Sequence, residues 1–192
     1  AQTFLHSQQE ANRSKQMMRT IQLAVACVAV LVVTAGQLQA AIITYTDGPS
    51  FMAALASSSV DDFNNLPTPP TGLNNGLNRT VGPYQYEVTS LRGLFSAGSA
   101  SDVWLTTNDE IDPMLFTVNT GGPTAMGGYF FASDITGLLT SGEIRVSING
   151  GLFEQSVTTN SAANFFGWVS TDSTPISSFQ VSSGSGVWPT VN

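Results

Sequence analysis

The sequence predicts an all-β protein: an antiparallel two-sheet β-sandwich or jelly roll with one short helix near residues 50–56, after a signal-peptide helix. Three observations carry this expectation. Ile144, Val146 and Ile148 alternate with Arg145 and Ser147, so their apolar side chains share one face of a strand. Asn149-Gly150-Gly151 follows, and Asn-Gly readily takes the positive-φ positions of a tight hairpin turn. Nine to eleven short apolar runs are separated by Gly, Pro, Asn and Ser clusters, as in two-sheet sandwiches.

Taken in order, Ile42 to Thr46 form a short apolar first strand, broken by Asp47-Gly48-Pro49. Ser50 caps the expected helix, in which Phe51 and Leu55 lie four apart on one face. Val60-Asp61-Asp62-Phe63 is expected to be extended, with Asp61-Asp62 opening an edge strand. Residues 64–78 hold Pro67, Pro69, Pro70, Gly72 and Gly76 and read as a surface loop inside one domain. Tyr84, Tyr86 and Val88 alternate with Gln85 and Glu87 as a half-buried strand. Further strands are expected at 91–95 (broken at Gly93), 103–106, 114–118, 129–132, 143–148, 152–158 and 165–170. Four of these, 129–132, 143–148, 152–158 and 165–170, read as core strands of one sheet. A late strand is marked by Ile176, Phe179 and Val181, and a last one begins at Val187.

Residues 17–40 have the form of a secretory signal: Met17 and Met18, Arg19, an apolar run from Ile21 to Ala35, then Gln37-Leu38-Gln39-Ala40 as cleavage region. The competing reading, a transmembrane helix, needs about 20 apolar residues. Residues 1–16 do not begin with Met and are read as an upstream, disordered extension. Residues 41–192 are then a single sandwich domain, cut within its last strand.

Setting residues 1–40 aside changes the chemistry on offer. Cys27, His6 and Lys15, each the only residue of its kind, all fall in that segment. Arg79, Arg92 and Arg145 remain against twelve carboxylates, a net charge of −9. So acidic a body repels phosphate backbones and anionic lipid, so neither nucleic acid nor membrane is an expected partner. A Ser-His-Asp triad, a Cys-His pair, a Lys Schiff base and His or Cys zinc sites are all excluded. Carboxylate chemistry and oxygen-ligand metal sites are left.

Asn108-Asp109-Glu110-Ile111-Asp112 is the densest set of oxygen ligands. Asn108, Asp109 and Asp112 are the candidate ligands for calcium, which takes six to eight oxygens. A solvated acidic turn is the competing reading. Asp61 or Asp62 with Glu87, Asp134 or Glu143 could serve as a glycosidase pair only by tertiary accident, since two carboxyls about 5–9 Å apart are needed. Trp104, Trp168, Trp188, Tyr84 and Tyr86 could offer a sugar-stacking platform. Core packing competes for each of them, and Trp104, beside the acidic loop, is the candidate for exposure.

Asp61-Asp62-Phe63, the run from Gly127-Gly128-Tyr129 to Asp134-Ile135-Thr136-Gly137, and Phe165-Phe166-Gly167-Trp168-Val169-Ser170 before Pro175-Ile176 resemble secreted bacterial proteins of the PEP-CTERM, exosortase-sorted type. The resemblance covers about residues 17–192. It implies a β-sandwich body exported to the cell surface or an extracellular matrix, generally of unknown biochemical role, with no catalytic residues to carry over. Extracellular polysaccharide or surface matrix is the expected partner. In such proteins a Pro-Glu-Pro motif, a membrane stretch and basic residues follow the last strand. Here the sequence reaches only Trp188-Pro189-Thr190-Val191-Asn192, so the sorting expectation rests on the body.

Overall fold

The computed structural model describes residues 41–192 apart from Leu152; the extension 1–16 and the signal segment 17–40 lie outside the described residues. Two antiparallel sheets face each other as a sandwich. Fourteen strands are described: β1 (Ile42–Tyr45), β2 (Thr71–Gly72), β3 (Gly76–Val81), β4 (Tyr84–Thr89), β5 (Leu94–Ser99), β6 (Asp102–Thr107), β7 (Met114–Thr120), β8 (Ala125–Ser133), β9 (Leu139–Thr140), β10 (Gly142–Ile148), β11 (Phe153–Thr159), β12 (Phe165–Ser170), β13 (Ser178–Ser183) and β14 (Trp188–Val191). The larger sheet runs β1-β12-β8-β14-β6-β5-β2, with β9 also on β8, and the smaller runs β11-β10-β13-β7-β4-β3.

Alternation decides which side chains enter the space between the sheets. Val103, Leu105, Phe130, Phe166 and Trp168 from the larger sheet meet Val88, Phe116, Ile144, Val146 and Val181 from the smaller in one buried cluster. Each such side chain contributes about 1.5–3 kcal/mol by leaving water. Phe116 and Phe179 stack with centroids 3.9 Å apart across β7 and β13. At the β10–β11 hairpin, Asn149 and Gly150 both take positive φ and the Gly151 N–H donates to the Ile148 carbonyl at 3.1 Å, as the sequence predicts.

The structure corrects five local expectations. The four central strands divide between the sheets: β8 and β12 pair in the larger, β10 and β11 in the smaller. The helix, α1 (Gly48–Ala53), begins before Ser50, because Asp47 is its cap and accepts the Ser50 N–H at 2.8 Å. Residues 61–63 are irregular rather than extended: Asp61 and Asp62 turn their carboxylates onto the N–H groups two residues on, and Phe63 takes φ 55°. The 64–78 loop contains β2 and the start of β3, and the strand expected at 91–95 begins only at Leu94.

α1 packs on the outer side of the larger sheet. Gly127 and Gly167 are directly opposed on β8 and β12, and a Cβ on Gly167 would stand 2.5 Å from the Phe51 ring. The glycine pair leaves a trough into which Phe51 sinks, 5.3 Å from the Phe165 ring and 5.9 Å from that of Tyr45.

Candidate functional site

The two outer faces of the sandwich differ in chemistry. Strand by strand, the smaller sheet turns Asn78, Glu87, Thr117, Gln180, Ser147 and Glu154 outward, opposite in parity to its core residues. The larger sheet turns aromatic side chains outward. Register places Phe131 beside Thr190, Thr190 beside Thr106, Phe95 beside Thr106, and Trp188 beside Ser133.

On this aromatic face the β8–β9 hairpin folds over β5. The Gly98 N–H donates to the Gly137 carbonyl at 3.2 Å. Gly137 sits at φ 77°, where a Cβ would stand 2.9 Å from that of Ala97. Only glycine meets both demands at once. Asp134 Oδ1 accepts from the Thr136 N–H at 2.8 Å, the Thr136 hydroxyl at 2.6 Å and the Leu138 N–H at 3.1 Å. These bonds, the Thr136 hydroxyl foremost, hold the Asp134 carboxyl below its ordinary range.

Between this hairpin and the sheet lies an open cleft of about 180 Å³, lined by Phe95, Thr106, Thr107, Asn108, Asp134, Ile135, Gly137 and Trp188. Beneath it is a buried hydroxyl ladder: Thr190 bonds Ser133 at 2.8 Å and Thr106 at 3.1 Å, and Thr106 donates to the Pro189 carbonyl at 2.9 Å. Phe95 and Trp188 are half-buried, while Ile135 is 77% exposed.

Of the residues singled out in the sequence, Trp168 is in the core at 1% exposure. Trp104 lies half-buried on the outer face, edge-on to Phe131 at 4.8 Å, and its buried Nε1 meets no hydrogen-bond partner. Trp104 packs against Phe131 and does not line the cleft. Trp188 does. Its position was readable from parity, since Val187 and Val191 point into the core and residue 188 lies on the other face.

Asn108, Asp109 and Asp112 come together around Arg92. Asp109 Oδ2 lies 2.8 Å from Arg92 Nη1 and Asp112 Oδ1 3.8 Å from it. Asp112 Oδ2 accepts the Arg92 N–H at 2.7 Å, and the Asn108 amide donates to the Arg92 carbonyl at 3.4 Å. Glu110 turns away to accept the Gly186 N–H. One arginine thus already pairs with both aspartates of the set expected to hold calcium. Among the described residues no three His, Cys, Asp or Glu side chains form a metal-binding group.

Asp61 is saturated as well. Arg79 Nε donates to Oδ2 at 2.8 Å and Nη2 to Oδ1, and the Tyr86 hydroxyl donates to Oδ2 at 2.6 Å. The Arg79 guanidinium lies 5.6 Å from the centre of the Phe63 ring. Asp61, Arg79 and Tyr86 form a lock that sequence reasoning did not foresee. Opposed positions on β3 and β4 hold the arginine and the tyrosine, and the irregular 61–63 segment brings the carboxylate. No family model, no curated protein and no solved structure matches the chain.

Proposed function

We propose that the protein is an exported, non-catalytic β-sandwich of the cell surface or extracellular matrix that binds carbohydrate on the outer face of its larger sheet. The observation that carries this reading is the asymmetry of the two faces: a half-buried Trp and Phe edge an open cleft on one sheet, and hydroxyl, amide and charged groups cover the other apart from Leu115. Aromatic rings with one accessible face suit the C–H surface of a sugar, and nearby polar groups supply orientation. Export rests on the apolar run behind Arg19, and sorting of the PEP-CTERM type on the body motifs.

Hydrolysis by paired carboxyls is disfavoured. It requires an acid with a raised pKa and a second carboxylate across a cleft. Asp134 is the carboxylate that lines this cleft. Asp47, Asp61, Asp134, Glu143 and Asp172 are all held below their ordinary values.

A purely structural or adhesive role is the second reading, and the polar outer face of the smaller sheet favours it. Electrophoresis of the protein through gels containing soluble polysaccharides separates the two. Retardation by a glycan supports binding, and migration unchanged in every gel leaves the adhesive role. Mass measurement of the exported chain tests the secretory reading, with a mature start at Ala41 expected.

A further inference from the structure

The described residues offer three cations, and each is already paired. Arg79 holds Asp61, Arg92 holds Asp109 and Asp112, and Arg145 holds Glu143 through Nε at 2.9 Å. No Lys or His occurs from 41 to 192, and the net charge of that stretch is −9. A uronic acid, a sialic acid or a sulfated sugar would therefore meet no free positive group and would approach a repelling surface. The cleft itself carries a carboxylate, Asp134.

We infer that the cleft between the β8–β9 hairpin and strands β5, β6 and β14 takes one ring of a neutral glycan. This rests on the carbohydrate-binding reading above and adds the site and the class of sugar. Trp188 and Phe95 supply apolar surface for the ring's C–H groups. Asn108 and Asp134 supply acceptors for its hydroxyls. The three local hydrogen bonds of Asp134 all fall on Oδ1, which leaves Oδ2 without a hydrogen bond from the protein. A charged acceptor with a free oxygen binds a sugar hydroxyl well and would repel an acidic one.

The volume agrees. Clefts that enclose a drug-sized ligand run to about 300–1,000 Å³, and this one, at about 180 Å³ and open on one side, has room for a single ring of a chain that continues along the surface. Asp134 and Gly137 pin the hairpin to itself and to β5, so this wall of the cleft is held by the protein's own hydrogen bonds.

The test is a calorimetric titration of the full chain with cellohexaose, maltohexaose and xylohexaose, and with oligogalacturonate as the acidic counterpart. A neutral hexasaccharide is expected to bind, with affinity at least about tenfold weaker in Trp188→Ala, the loss typical of a stacked aromatic anchor. Asn108→Ala removes an exposed side chain whose one hydrogen bond is 3.4 Å long; it keeps the fold and is expected to weaken binding several-fold. Gln180→Ala, on the opposite face, is expected to change nothing. Equal binding by parent, Trp188→Ala and Asn108→Ala overturns this site while leaving carbohydrate binding in place. Binding of oligogalacturonate alone overturns the neutral class. Binding of none of the four overturns both readings.

Discussion

Arg79 and Asp61, eighteen residues apart in sequence, form a two-point ion pair in which both side chains are about nine-tenths buried, at 11% and 10% exposure. The pair, with Tyr86, fastens the irregular segment at Asp61 to β3 and β4. Burial alone would push the Asp61 carboxyl up. The bonds from Arg79, Tyr86 and the Phe63 N–H more than offset it, and the net shift is downward.

Asp61→Ala leaves a guanidinium buried without its partner and is expected to lower stability by about 3 kcal/mol, read from chemical denaturation. Because the folded carboxyl titrates below its ordinary value of 3.8, its contribution is complete above that pH. It is lost as the pH falls through the depressed folded value. Asp61→Asn should flatten that acid limb; an unchanged limb would remove Asp61 from the account.

Tyr86 titrates in the opposite sense. Burial, then the Asp61 carboxylate, raise its hydroxyl well above the usual 10.0. The unfolded chain releases this proton first, so the stabilisation is present below pH 10 and declines as the pH rises past it. Tyr86→Phe is expected to cost about 1.5–3 kcal/mol at neutral pH, as for a hydrogen bond to a charged group. It should also remove part of the alkaline decline.

Gly167→Ala would place a methyl 2.5 Å from the Phe51 ring and 2.9 Å from that of Phe165. The trough for α1 closes, and a loss of about 1–3 kcal/mol is expected from overpacking. Amide exchange localises the effect: residues 48–53 should lose protection before the core strands do.

Trp104 and Trp188 should separate stability from binding. Trp104→Ala removes the ring packed edge-on against the fully buried Phe131 and is expected to lower stability by about 3 kcal/mol, with sugar affinity kept in the folded fraction. An affinity loss as large as that of Trp188→Ala would show that Trp104 itself faces the ligand.

Calcium at Asn108, Asp109 and Asp112 would have to displace Arg92 from the two carboxylates. Calcium is therefore expected to raise the melting midpoint more in Arg92→Ala than in the parent, a ligand stabilising the folded state by mass action. Equal midpoints in both proteins, with calcium and with EDTA, would mark residues 108–112 as a loop held by protein contacts alone.

Much of the strand content was legible. β12 has the expected bounds, and the β10–β11 hairpin turns where Asn149-Gly150 requires. β3 was not legible, because Arg79 occupies an inward position between Leu77 and Val81 and breaks the apolar pattern. Its carboxylate partner lies in a segment whose sequence reads as extended. In the cleft, the outward parity of Trp188 was open to reading, but Phe95, Asn108 and Asp134 come from three separate stretches that only folding brings together.

By itself, the sequence determined the all-β class, most strand positions and, in the strands with a clear apolar alternation, the inward and outward faces. It also determined the absence of Lys, His and Cys from 41 to 192. The period of two behind those faces is local, set by the backbone of each strand. Tertiary structure decided which strands are neighbours. It set β14 between β8 and β6, put the four central strands in two sheets, and spent all three arginines on carboxylates. Strand neighbours depend on long-range register and on which apolar faces can be buried together, and those are properties of the whole chain.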